Sequence, residues 1–211
     1  MRIAEQGWGF ITAGFIVAGV GAWGALLWPV PGTLAAALGF GFAFFCLYFY
    51  RDPERPLPTD PKMLYSPGDG VVLSAAREGP EGVMTLRIFL SVFDVHIQRS
   101  PCAGVVSKVV AVPGSFRAAM KDEASANERC VMTVEPDGGR EPLVVEQIAV
   151  FIARRIECWP KAGERVEMGA RYGIIYFGSQ AAVHFPASAR VTVRVGDRVA
   201  GGITPIGEWI S

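Results

Sequence analysis

The chain has 211 residues, 51% of them hydrophobic, and its 20 basic and 20 acidic side chains cancel to zero net charge. That length holds one catalytic domain, with or without a membrane anchor. The balance argues against a nucleic-acid partner, which needs surplus Lys and Arg, and the apolar content excludes intrinsic disorder. The charges are unevenly spread. Gly7 to Tyr50 is a run of 44 residues without one, so the other 167 residues carry all 40, or 24%, an ordinary value for a soluble domain.

The uncharged run divides at Pro29-Val30-Pro31-Gly32 into stretches of 21 residues (Trp8 to Trp28) and 19 residues (Gly32 to Tyr50). Either could cross roughly 30 Å of hydrocarbon as a helix. A Pro/Gly turn between them predicts a transmembrane or membrane-embedded helical hairpin over residues 1–50. Trp8, Trp28, Tyr48 and Tyr50 fall near the ends, where aromatic rings favour the interface. Arg2 on one flank, with Arg51 and Arg55 on the other, puts both ends on the cytoplasmic face of the cell membrane. The alternative is a helical pair buried in a soluble core.

Residues 51–62 are Pro-rich and charged and read as a linker. From 63 to 211 the chain is mainly β (α+β). Short β-branched runs at Gly70–Leu73, Val83–Leu90, Gly104–Val110, Cys130–Val134, Leu143–Ile148, Gly173–Phe177 and Val191–Val195 are parted by Gly, Pro and Asp turns. They predict a compact β-barrel or sandwich catalytic domain, with a helical turn or loop expected at Phe116 to Asn127. Cys46, Cys102, Cys130 and Cys158 are too scattered for a zinc site or a disulfide scaffold.

Chemistry has few places to reside. There is no clustered metal-ligand motif, phosphate loop or G-x-S-x-G elbow, and His96 and His184 are the only histidines. Three segments stand out: Tyr65-Ser66-Pro67-Gly68-Asp69-Gly70, Asp94-Val95-His96-Ile97-Gln98-Arg99-Ser100-Pro101, and Tyr176-Phe177-Gly178-Ser179-Gln180. Taken singly, an Asp between glycines is a turn, a lone His among apolar residues is a core group, and Gly-Ser is a common turn step.

Together with Phe49-Tyr50-Arg51-Asp52-Pro53-Glu54-Arg55, Asn127-Glu128-Arg129 and the Gln147-Ile148-Ala149 and Ile152-Ala153-Arg154-Arg155-Ile156 block, these segments resemble the short, membrane-associated type of phosphatidylserine decarboxylase proenzyme. The resemblance runs through the whole chain. It departs at Gln98, where Asn is commoner, and at Gln180, Ala181 and Ala182.

The resemblance implies self-cleavage between Gly178 and Ser179, giving chains 1–178 and 179–211 that stay together. Ser179 becomes a pyruvoyl cofactor, and no metal is needed. It also implies catalytic roles for Asp69, His96 and Ser179: His96 as the base for the serine hydroxyl, Asp69 orienting its ring. His184, five residues beyond the cleavage step, is the competing base. Arg99 is the expected contact for the substrate phosphate. The implied substrate is phosphatidylserine in the bilayer, with phosphatidylethanolamine and carbon dioxide as products. A pyruvoyl decarboxylase for another amino acid, a non-catalytic membrane-tethered module binding lipid or a partner, and a homo-oligomer all stay open.

Overall fold

The computed structural model describes residues 2–114, 127–150, 155–176 and 179–210. They form two compact units, Met1–Glu54 and Arg55–Ser211.

The first unit is a helical hairpin. Strand β1 (Arg2–Ile3) pairs antiparallel with β2 (Arg51–Asp52), and between them run helices α1 (Trp8–Gly24) and α2 (Pro29–Phe49). The turn falls at residues 25–28, earlier than the Pro29–Gly32 expected from sequence. Pro29 and Pro31 instead open α2: the first helical turn needs no backbone N–H donors, and proline's fixed φ suits it.

The helices meet through small residues, with Ile11, Gly14, Ala18 and Gly21 of α1 buried against Gly32, Gly39, Ala43 and Cys46 of α2. A Cβ added at Gly21 or Gly39 would lie 2.4 Å from the backbone nitrogen of Ala36 or Ala18, so only glycine permits this approach. The bulky residues point outward: Ile16, Val20, Trp23, Leu34, Leu38 and Phe44 are all exposed. Such a continuous apolar exterior suits lipid far better than water. Two spans, Glu5–Gly24 and Pro29–Phe49, are long and apolar enough to cross a membrane.

The second unit is mainly β. Its strands are β3 (Met63–Tyr65), β4 (Gly70–Glu78), β5 (Val83–Leu90), β6 (Ile97–Arg99), β7 (Gly104–Val112), β8 (Arg129–Pro136), β9 (Leu143–Ala149), β10 (Ile156–Cys158), β11 (Arg165–Val166), β12 (Arg171–Ile175), β13 (Ser179–Phe185), β14 (Ala189–Val191), β15 (Arg198–Val199) and β16 (Pro205–Trp209). An eight-stranded sheet runs in the order β11-β7-β8-β9-β13-β5-β4-β15, and two three-stranded sheets in the orders β10-β12-β6 and β14-β16-β3. Alternate residues of the large sheet, including Leu86, Ile88, Val145 and Val183, form one apolar core with Leu64, Ile206 and Trp209 of the β14-β16-β3 sheet. This is the packing of a sandwich.

One feature of the topology positions the site. Three neighbouring strands of the large sheet, β9-β13-β5, connect directly to the three strands of the β10-β12-β6 sheet in the same lateral order. The break between β5 and β6, at residues 91–96, follows directly on Leu90, the ladder partner of Ser179. Ser179 is the first residue of β13, between Leu90 and Ala149.

Two strand expectations need amendment. Of the run at Val191–Val195 only Val191 is strand, as the last residue of β14, and Asp197 closes a turn beyond it by accepting the Arg194 amide at 2.8 Å. Central strand β13 is absent from the sequence-based reading, since Ser-Gln-Ala-Ala-Val-His-Phe lacks the β-branched density of its neighbours. The expected helical segment lies outside the described residues except for Asn127.

Candidate active site

The segment Ser66–Gly70 packs against β6. The Pro67 carbonyl accepts the Arg99 amide at 2.8 Å, and Ser66 exchanges backbone bonds with Thr204 and Gly202. Gly70 is required by close approach: a Cβ there would lie 2.0 Å from the Phe89 carbonyl oxygen.

Asp69 is held by a fork. Arg55 Nη1 and Nη2 donate to its two carboxylate oxygens at 2.6 and 2.8 Å, and the Gly201 amide adds a third bond at 2.8 Å. Arg55 Nη1 also donates to the Gly201 carbonyl at 2.6 Å. Bidentate geometry fixes both partners. Asp69 thereby ties the start of the second unit to the loop after β15.

His96 is fully buried just before β6. Its Nδ1 lies 3.0 Å from the Asp94 carbonyl oxygen. A carbonyl only accepts, so Nδ1 carries the proton and, in the neutral ring, Nε2 carries the lone pair. The ring is thus oriented by a backbone carbonyl. The Asp94 carboxylate is occupied by Arg198 at 2.8 Å and by the Ser91 amide at 2.9 Å. The His96 carbonyl accepts the amide of Ile175, four residues before Ser179, at 3.4 Å.

Ser179 is fully buried, and its Oγ has no hydrogen-bond partner among the described residues. Alternation along β13 aims it to the same side as core residues Ala181, Val183 and Phe185. An orphaned buried hydroxyl is costly, and such strain accumulates where chemistry is done. Gly178 lies outside the described residues.

Gln147, to which sequence reasoning assigned no function, stands on the same side of the sheet, diagonally across the β9–β13 ladder from Ser179. Its Nε2 donates to the Glu157 carbonyl at 3.3 Å, and its buried Oε1 has no partner among the described residues. The sequence offered one hint, its place in the Gln147-Ile148-Ala149 block.

His184 lies on the opposite side of the sheet from the Ser179 side chain, with Gln180. There its Nδ1 contacts Thr85 Oγ1 at 3.0 Å and its Nε2 lies 3.4 Å from Glu146. Arg87 clasps Glu78 and donates to Gln180 Oε1 at 3.1 Å. Arg99 is only 2% exposed, and its Nη1 donates to the Gly169 carbonyl at 3.0 Å, so the guanidinium is turned inward. No group of three or more His, Cys, Asp or Glu side chains among the described residues could hold a metal.

The polar side of the sheet has its own pH signature. Burial raises the tendency of Glu146 to hold a proton, but His184, Arg129 and Arg87 together keep its pKa below the ordinary 4.5. The resulting stability is complete above the unfolded carboxyl range and is lost as pH falls through the lower folded value. Glu146→Gln therefore costs about 1–2 kcal/mol at neutral pH. Thermal melts at stepped pH check this: the gap to the unsubstituted chain narrows as the medium is acidified below the normal glutamate range.

Fold and site together define a mainly β domain bearing a buried hydroxyl at Ser179 and a buried imidazole at His96. The family model described as phosphatidylserine decarboxylase matches residues 42–207. The chain is 43% identical over 212 residues to a phosphatidylserine decarboxylase proenzyme of Symbiobacterium thermophilum, covering 98% of this chain and 95% of the relative. It is 38% identical over 218 residues to one of Burkholderia cenocepacia and 37% to one of Burkholderia vietnamiensis, at the same coverage. The chain belongs to the phosphatidylserine decarboxylase family, and it is an enzyme.

Proposed function

We propose that the chain processes itself between Gly178 and Ser179 and, as two associated chains, converts phosphatidylserine to phosphatidylethanolamine and carbon dioxide at the cytoplasmic face of the cell membrane. The observation that carries this reading is Ser179: a buried hydroxyl without a partner, at the first position of a central strand, beside the break that also holds His96.

His96 Nε2 takes the Ser179 hydroxyl proton, and Oγ attacks the Gly178 carbonyl, so the acyl group passes from nitrogen to oxygen. Loss of the Ser179 α-proton then expels the Gly178 carboxylate as a new C-terminus and leaves dehydroalanine. Water adds and ammonia departs, leaving a pyruvoyl terminus on residues 179–211. Ser179 fits this role because a serine at a strand start, with no competing hydrogen bond, keeps its lone pairs for attack. A pyruvoyl group supplies a carbonyl that captures an amine and draws electrons from the bond to carbon dioxide.

The chain's own residues handle orientation and protons. The Asp94 carbonyl keeps the His96 ring in the tautomer that can accept at Nε2 and later return a proton to the substrate carbon. Asp69, clamped by Arg55, holds the Ser66–Gly70 loop on β6 and so supports His96 at one remove. The uncharged hairpin keeps the domain beside a substrate whose acyl chains stay in the bilayer, which raises effective concentration.

Intact mass measurement of purified protein tests the reading. The expected result is a 33-residue C-terminal fragment, residues 179–211, lighter by one ammonia than the same peptide with a serine terminus. Folded protein that stays a single full-length chain on prolonged incubation overturns it.

A further inference from the structure

A cavity of 890 Å³ lies between the β7–β8 ladder and the edge strand β10, within the size of small-molecule sites, roughly 300–1,000 Å³. Its wall includes Arg155, Glu157, Glu128 and Arg129, together with Ile156 and Trp159. Two residues near Ser179, Tyr176 and Ala149, are hydrogen-bonded to this wall. The amide of Tyr176, three residues before Ser179, donates to the Arg155 carbonyl at 3.1 Å. The amide of Ala149, opposite Ser179 in the ladder, donates to the Glu128 carbonyl at 2.9 Å. Ile156 packs on Ala149 and Ile175.

Arg155 is placed to receive an anion. Its side chain is 69% exposed, where Arg99 is closed off, and it meets Glu157 at 2.9 Å. An exposed pair of that kind contributes little and yields to a better acceptor. Glu157 is held independently by the Tyr176 hydroxyl, which donates at 2.8 Å. The Arg155 guanidinium also lies 5.5 Å from the centre of the Tyr176 ring, which confines the fork near the cleavage segment. Two arginines and two glutamates give the wall both signs of charge, as a head group with one ammonium, one carboxylate and one phosphodiester requires.

Resting on the decarboxylase reading above, we infer that this cavity is the head-group site and that Arg155 binds the phosphodiester of the lipid. A planar fork matches two phosphate oxygens at once. The role is one of specificity: Arg155 binds the end of the head group remote from the bond that breaks, so its loss weakens substrate binding more than turnover.

The experiment uses full-length protein in detergent with short-chain phosphatidylserine. Arg155→Gln keeps the backbone bond to Tyr176, so the 33-residue fragment still forms. KM rises about 10- to 100-fold, the value of a lost charge-assisted bond, and the loss appears in KM rather than kcat. Arg155→Lys, which keeps the charge but not the fork, falls between. In an uncut Ser179→Ala background, the same Gln substitution weakens lipid binding by the same factor. An unchanged KM, or unchanged affinity in that background, overturns the inference. Absence of the fragment from the unsubstituted chain overturns instead the decarboxylase reading, and the binding comparison still decides whether the cavity takes the lipid.

Discussion

Ser179→Ala yields a single 211-residue chain with no C-terminal fragment, and decarboxylation falls to the background rate. Under the proposed mechanism the effect is total because one residue serves twice: the Ser179 Oγ opens the Gly178 bond, and the carbon skeleton of the same residue becomes the pyruvoyl electron sink. Folding is not the cause of the loss. Alanine removes a buried hydroxyl that has no partner, so the variant is at least as stable as the parent. A denaturing gel shows the missing fragment, and a thermal melt shows the intact fold. A variant that still splits at this bond excludes Ser179 as the nucleophile.

His96→Gln slows cleavage by about 10² to 10⁴, the ordinary contribution of a positioned general base. Glutamine is near in size and can keep a bond to the Asp94 carbonyl, so the buried site stays filled while the basic nitrogen is lost. His184→Gln provides the contrast. That residue stands on the far side of the sheet with Thr85 and Glu146, and its replacement leaves the rate of cleavage unchanged. Time courses of fragment release at several pH values compare the two. Equal slowing in both variants excludes a specific base at His96.

The hairpin shows how far composition reaches. Forty-four uncharged residues dictate two apolar helices whatever surrounds them. Where the turn falls is a subtler matter. Pro29 and Pro31 read as breakers along the chain, yet proline is well suited to a helix's first turn, and α2 begins with them. Most strands of the second unit were legible for a similar reason, since Val83–Leu90 and Leu143–Ile148 carry dense β-branched residues between turns. Strand β13 was not legible. Buried on nearly all sides, it needs small residues such as Ala181 and Ala182 to fit between its neighbours, and small residues carry little strand signal.

The sequence by itself determined that an uncharged, apolar helical segment precedes a charge-balanced β domain. Its ordered motifs, through the family they resemble, also made Asp69, His96, Gly178 and Ser179 the candidates. Only the tertiary structure decided how the groups are distributed in space. Strand alternation sends Ser179 and His184 to opposite sides of one sheet. Arg55 claims the Asp69 carboxylate, a backbone carbonyl orients His96, and Arg99 turns inward while Arg155 stays open to solvent. Each of these outcomes depends on which residues, distant in sequence, compete for the same hydrogen bonds, and that competition arises only when the strands are brought side by side.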